Sequence, residues 1–523
     1  MHSRLISLFY QNRQEVIMKF NLKFGQTVKQ ILNYENAPAF ELTPEMELYS
    51  AVVTSSLSNQ FYESGSERIE RLRALIQKND PLFVAKLAIY ARENMHLRSM
   101  PLVLAVELGR VHSGDGLVGD LISRIVQRAD EITEMLAYYS LANSRTEVKK
   151  LNKLSKQMQK GLSAAFNKFD EYQFAKYNRD ADVKLKDALF LIHPKAKDEA
   201  QQILFNKIVQ EKLAIPYTWE TALSELGQTK FDTQELKKEA FKLKWEELIF
   251  SNKLGYMATL RNLRNMLDAE VSKEALNKVC GFLSDAEAVA KSKQLPFRYL
   301  AAYLELKEVK MRRAGKLMEA LEDAVLQSAQ KMAGFDEDTR VVIAADVSGS
   351  MQKTISAKSR IQFYDIGLML AMMLKSKSKN AITGMFGDSW KIINVPGKQV
   401  LASVQEFRKR EGEVGYSTNG YLVIKDFLTR KQAVDKIMMF TDCQLWNSNS
   451  NTDNIVQLWR QYKGMVPHAR LYLFDLAGLG KSPLEILKDD VYLIAGWSDK
   501  IFNVLEALEN GSTAMEMINQ IKL

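Results

Sequence analysis

Cysteine is nearly missing from this chain: there are two in 523 residues, Cys280 and Cys443. They fall in different candidate domains, so neither a disulfide framework nor a thiolate zinc site is available, which fits a reducing interior. Long apolar runs are missing too, and no stretch approaches the roughly 20 residues that a membrane-spanning helix needs. The opening residues, Met1 to Tyr10, have too short an apolar core and no small-residue cleavage site, and so make a poor secretory signal. Met18-Lys19-Phe20 offers an alternative start, with the first seventeen residues an extension of little consequence, and residues 1–23 as a whole are expected to precede the first domain. The five histidines are scattered, and there is neither a nucleophile elbow nor a phosphate-binding glycine loop. A cytoplasmic, non-membrane protein without its own catalysis is expected.

What the chain does have is size and positive charge. Its length predicts more than one domain, and a hydrophobic content of 46% is enough for a sizeable core. The net charge of +9 points to an anionic partner.

From about 40 to 333 the apolar residues recur at three and four spacing, as in Ile69, Leu72, Leu75 and Ile76, which predicts helix after helix. Asn79-Asp80-Pro81, His193-Pro194 and Leu295-Pro296 punctuate them. The spacing suggests helix pairs of about forty residues stacked as an α-solenoid. After Gly334 the texture changes. Short apolar runs at 341–346, 381–386, 437–442, 470–475 and 491–495 alternate with helical stretches. The clearest helix, 361–375, is apolar all round and therefore buried. This alternation predicts an α/β, doubly wound parallel sheet whose ligands sit at the strands' carboxyl ends. The boundary should lie near 334–338.

Asp346-Val-Ser348-Gly-Ser350 follows the first of these runs. A carboxylate and two hydroxyls spaced two apart make a hard oxygen cluster suited to Mg²⁺ or Mn²⁺. The run 437–441 ends beside another carboxylate, Asp442, and the polar loop 415–420 carries Thr418 between them. Two plainer readings compete. Asp346 as a phosphotransfer nucleophile would want a second Asp two residues on, which Val347-Ser348 does not supply. Alternatively, the cluster is a strand-end turn in which Ser350 caps the next helix.

The segment 149–195 is rich in lysine. At about 100° per residue, Lys149, Lys153, Lys156 and Lys160 share an arc of about 60°, opposite Leu151, Leu154, Met158 and Leu162. A line of ammonium groups with few acids matches a phosphate backbone, although a merely solvated face looks the same. Aromatic pairs at Phe61-Tyr62 and Tyr138-Tyr139 are candidates for base stacking, with core packing the commoner use of such residues.

The Asp-x-Ser-x-Ser, Thr and Asp set resembles the metal-ion-dependent adhesion site of von Willebrand factor A domains. The resemblance makes Asp346, Ser348, Ser350, Thr418 and Asp442 the metal ligands, with coordination completed by water or a partner protein's carboxylate. A helical array followed by such a domain resembles, over about 24–515, the Ro ribonucleoprotein family in its bacterial form. Stretches such as Phe40-Glu41-Leu42-Thr43, 168–179 and Leu191-Ile192-His193-Pro194-Lys195 carry the likeness. It implies a HEAT-like TROVE module over 24–334, closed into a ring, and an adhesion-type domain over 335–523. It further implies that small noncoding Y-like RNA binds an outer basic surface and that single-stranded ends of misfolded RNA enter the hole, in RNA quality control or processing. An exoribonuclease is a possible further partner. By resemblance Lys176, Arg179 and His193 join the outer RNA surface. A protein-only adhesion module and a metal-dependent nuclease are the alternatives.

Overall fold

The computed structural model describes residues 29–54, 60–144, 154–178, 181–309, 313–446 and 454–523. Residues 1–23 lie outside them. Helices fill the chain from Pro44 to Ser328. Their starts follow from capping chemistry. Ser64 and Glu67 form a reciprocal capping box ahead of the helix Gly65–Lys78, and Asp80 accepts from the Phe83 amide with Pro81 in the first turn. The helices Pro81–Glu93 and Ser99–Val111 are buried on nearly every side and form the centre of the array. Helices Leu117–Ile125 and Lys156–Phe166 approach closely because Gly161 has no side chain. A Cβ there would lie 2.6 Å from the Gly119 carbonyl oxygen.

The second domain holds a six-stranded sheet. Its strands are β3 (Val341–Asp346), β4 (Ala381–Phe386), β5 (Trp390–Ile392), β6 (Lys436–Thr441), β7 (Arg470–Asp475) and β9 (Val491–Ala495), in the order β5-β4-β3-β6-β7-β9. All neighbours are parallel except β4 and β5. The five expected strands are present, and the apolar helix spans Phe363–Lys377 with residues 363–374 buried. Strand β5 escapes the sequence because three residues carry no readable period.

A second, three-stranded sheet crosses between the domains. Strands β1 (Gln30–Leu32) and β2 (Pro38–Glu41) form a hairpin, and β2 pairs with β8 (Lys481–Ser482) of the α/β domain. The start of the array is bolted to the same domain by Tyr49, whose hydroxyl donates to the Ala495 carbonyl at 3.3 Å, and by the Ser50 hydroxyl on the Asp475 carboxylate. The far end of the array docks elsewhere on that domain. The amides of Leu401 and Ala402 donate to the Glu322 carboxylate, and Lys307 donates to the Gln405 side chain at 2.9 Å. At the junction, Trp497 packs edge-on against Phe297 and Phe363. Both ends of the helical array therefore meet the α/β domain, which closes it.

Gly478 sits in this seam with φ of +63°, and a Cβ there would lie 2.7 Å from the Ser50 carbonyl oxygen and run into the Thr54 hydroxyl. Gly478→Ala is expected to destabilise by roughly 2–4 kcal/mol, from overpacking plus a left-handed residue. Gly464, in the helix Ile455–Met465, faces open space, and Gly464→Ala should be neutral or stabilising by up to about 1 kcal/mol. Chemical denaturation of both variants checks the contrast.

Candidate metal centre and nucleic-acid interface

Strands β3 and β6 are neighbours in register, so Asp346 at the end of one and Asp442 just past the end of the other come together. Asp346 Oδ1 accepts from the Ser348 amide at 2.9 Å and Oδ2 from the Thr441 hydroxyl at 2.6 Å. The Ser348 and Ser350 hydroxyls are 3.3 Å apart. Asp442 Oδ1 accepts from the Gln444 amide at 2.9 Å, and Ser350 hydrogen-bonds the same carboxyl. The Thr418 loop is pinned on both sides: the Gly349 amide donates to Tyr416 O and the Trp446 amide to Thr418 O, each at 3.0 Å. The structure thus brings Asp346, Ser348, Ser350 and Asp442 together, with the backbone of the Thr418 loop bonded to the segments on either side of them. Thr441 and Gln444, which orient the two carboxylates, were missed because their hydroxyl and amide carry no motif.

Burial pushes both carboxyls above the usual carboxylate range, and the charge of Asp346 pushes Asp442 further. Among the described residues, no lysine or arginine is one of the main influences on either. Two hard carboxylates and three hydroxyls, desolvated and lacking a positive side chain, fit a divalent cation. Among the described residues no three His, Cys, Asp or Glu side chains cluster as a metal-binding group, because this donor set leans on hydroxyls.

The basic residues separate into two places. Lys156 and Lys160 are exposed on the helix Lys156–Phe166, whose opposite face buries Met158 and Leu162, as the periodicity predicts. His193 is exposed as the left-handed C-cap of the helix Leu185–Ile192, and Gln159 donates to the Ile192 carbonyl beside it at 3.1 Å. Lys149, Lys153 and Arg179 lie outside the described residues. Lys176 is also exposed, at the edge of a cavity. The helix Glu171–Tyr177 buries Phe174 and turns Tyr172, Lys176 and Tyr177 into a cavity of about 680 Å³.

That cavity is bordered by helices from widely separated parts of the array. Arg128, Lys176, Lys253, Arg261 and Lys291 line it, against Glu220, Asp285 and Glu287. Lys291 is paired with Glu287, and Asp285 caps a helix by accepting from the Ala288 amide. Arg128 stacks over the Tyr177 ring at 4.4 Å, and Lys176 lies over the Tyr172 and Tyr177 rings at 5.6 and 5.7 Å. Tyr172 and Phe282 are 49% and 37% exposed, leaving ring faces free to stack. Past Lys176 the cavity meets a second of about 460 Å³, and past Arg261 a cleft of about 610 Å³ against residues 355–361 of the α/β domain. The other aromatic candidates divide. Tyr139 is core, Tyr138 donates to Glu107, Phe61 is exposed, and Tyr62 lies beside the carboxylate cluster.

A helical array closed by an α/β domain with an oxygen-donor site at its strand ends defines the class. Family models agree with it: the TROVE domain matches residues 24–244 and 210–362, and the Ro60 vWA domain matches 340–508. The chain belongs to the TROVE-domain family of Ro proteins, a family of RNA-binding proteins. Its fold is similar to that in the crystal structure of the Deinococcus radiodurans RO (RSR) protein, with a TM-score of 0.56 and 16% identity, covering 90% of this chain and 100% of that one. Among curated proteins it is similar to telomerase protein component 1 of Rattus norvegicus, 23% identical over 347 residues, or 53% of this chain and 13% of that protein. The Mus musculus counterpart is 24% identical over 292 residues, 43% of this chain and 11% of that one. The chain thus spans little more than a tenth of the length of these relatives.

The paired carboxylates predict a pH dependence. Their folded-state pKa values are raised, so the folded protein holds protons more tightly than the unfolded chain. The resulting stability is complete below about pH 4 and is lost as the pH rises through the folded values. In chelator, Asp442→Asn should therefore be more stable than the parent at pH 8, by on the order of 1 kcal/mol, with the difference shrinking toward pH 4. Thermal melts across that range check it.

Proposed function

We propose that this chain is a cytoplasmic scaffold that holds RNA and does no catalysis itself. The cavity takes single-stranded RNA ends, and the exposed face carrying Lys156, Lys160 and His193 takes a structured, Y-like RNA. The observation that carries the reading is the cavity's lining. Lys176, Lys253 and Arg261, together with the acid-paired Arg128 and Lys291, stand beside accessible ring faces, and single strands are held by this combination of phosphate neutralisation and base stacking. A duplex about 20 Å wide does not enter such a space. No helix among the described residues is long and apolar enough to cross a membrane.

The same reading gives the oxygen cluster a divalent cation, Mg²⁺ first and Mn²⁺ second, held by Asp346, Ser348, Ser350, Thr418 and Asp442. Its role would be structural or in protein recognition. A single oxygen-donor cluster, without a second metal site among the described residues, is poorly equipped for hydrolysis, which argues against a nuclease.

Lys176→Ala with Arg261→Ala should weaken binding of a hairpin RNA bearing a single-stranded tail by roughly 1–3 kcal/mol. The salt slope should shrink by about 0.7 per lost single-strand contact, and a blunt hairpin should be affected much less. Fluorescence anisotropy over a salt series measures this. Equal loss for both RNAs would remove the cavity from the reading.

Asp346→Ala should abolish Mg²⁺ binding by calorimetry while leaving RNA affinity within about twofold, a small fraction of the roughly 1.4 kcal/mol that a tenfold change represents. A tenfold fall in RNA affinity with the fold intact would overturn this division of labour.

A further inference from the structure

An adhesion-type site needs an open face, because a partner's carboxylate must reach the cation. Here the five donor residues are 6% exposed or less. What covers them belongs to the chain itself. The hairpin between β1 and β2 lies on the loop that follows Asp442. The Asn33 side chain donates to the Leu445 carbonyl at 2.7 Å, and the Tyr34 amide donates to the Gln444 side chain at 3.0 Å. Tyr62 comes in beside it, its ring stacked on Tyr34 with centroids 5.2 Å apart. The Tyr62 hydroxyl donates to the Glu35 carboxylate, and Asp442 and Ser350 of the donor cluster are among the groups that act on it. A carboxylate from the first domain is thereby held one hydroxyl away from the donor cluster of the second.

We propose that Glu35, positioned by Tyr62, closes the divalent-cation site in cis, supplying the negative charge that a partner protein supplies in an open site. The inference rests on the cation reading above. It changes what the site is for: the cation becomes a clasp between the first hairpin of the helical domain and the strand ends of the α/β domain. An outside protein would gain the site only by displacing Glu35 and Tyr62. The seam remains fixed without the cation, because Asn33 and Tyr34 are anchored to Leu445 and Gln444 through groups that Glu35 does not share.

The test is Mg²⁺ and Mn²⁺ titration of the full chain by calorimetry, with the metal-induced rise in melting temperature as a second readout. Glu35→Gln should fold as the parent does in chelator and should bind either cation roughly 10–100-fold more weakly, the usual effect of losing a supporting carboxylate. Tyr62→Phe keeps the ring stack, loses the hydroxyl that holds Glu35, and should weaken binding in the same direction. Added acetate should restore part of the affinity of Glu35→Ala and leave the parent unchanged, which a merely structural role for Glu35 would not produce. If the parent and Glu35→Gln bind the cation equally, Glu35 has no part in the site although the cation reading stands. If the parent binds neither cation, the cation reading fails and the clasp falls with it. Should Glu35→Gln not fold, equal affinity of Tyr62→Phe and the parent would overturn the proposal.

Discussion

Arg68 is wholly buried where the first helices of the array meet the sheet, and much of the structure depends on how its guanidinium is held, with only one of its three nitrogens hydrogen-bonded. One nitrogen donates to the carbonyls of Ala477 and Gly478 at 2.5 and 3.2 Å, with Glu63 at 3.6 Å and the Asp475 carboxylate contributing field. Burial pushes its pKa down to about 10, so it is still charged at neutral pH. A buried charge of this kind is tolerable only in one geometry. That geometry fixes the helix Gly65–Lys78 on the turn after β7, and the chain entering the helix then has little freedom. Tyr62, six residues before Arg68, is delivered to the carboxylate cluster, and Glu63 is drawn into bidentate contact with Arg71 at 2.7 and 3.0 Å. The seam, the closure of the array and the cover over the carboxylate cluster thus share one electrostatic constraint.

Formal charge overstates what the protein has to offer an anion. Arg92 grips Glu131 at 2.7 and 2.9 Å and also donates to the Ile125 carbonyl, tying the helix Pro81–Glu93 to the helix Asp130–Ala142. Lys168 donates to the carbonyls of Ser123 and Val126, the latter at 3.1 Å, at the end of another helix. These cations are consumed by the fold. Those that line the cavity are held in two ways. Lys176 rests on aromatic faces, which orient a cation without neutralising it and leave its charge available to phosphate, whereas Arg128 combines its ring contact with a bidentate pair to Asp130 at 2.9 and 3.0 Å. Arg298, which lines the adjoining cleft, is exposed, yet its pKa is lowered by surrounding protein and by Arg261. Both facts hold for a side chain that water reaches only from inside a concavity.

The parts legible in the sequence were those coded by contiguous residues. Strand β3 and Asp346-Val-Ser348-Gly-Ser350 are one uninterrupted stretch, and parallel-sheet topology then places Asp442 beside them. The exposed line of Lys156 and Lys160 follows from helical angle alone. The cavity was not legible, because Arg128, Tyr172, Trp219, Arg261 and Phe282 are spread along the chain and meet only through the curvature of the array. Lys176 shows the same limit. Periodicity separates its helix face from Phe174, but it does not say which exposed face is concave. Tyr62 was weighed only between core and base stacking, since nothing local ties it to a site almost 300 residues away. The two-residue strand β8 carries no period at all, yet it joins the domains.

The carboxylate cluster and the basic cavity are linked through the chain, and this bears on whether they act separately. Ser350 opens a short turn, and the chain then runs through 353–361, where Ile355, Ser356, Lys358 and Arg360 form one wall of the cleft that Arg261 and Arg298 border from the other side. A shift at Ser350 therefore has a covalent route to the cavity's edge. What opposes it is that the segment is bonded to itself. Thr354 and Gln362 form an antiparallel bridge, the Ile355 amide donates to Ile361 O at 3.0 Å, and the Phe363 amide donates to Lys353 O at 3.1 Å. Arg360 is also tied to Glu308 of the array at 2.9 Å. A loop closed by its own backbone bonds and anchored at its tip resists displacement from one end. The cleft wall is consequently held by contacts that do not include the carboxylate cluster, and the two sites can share a loop without sharing a fate.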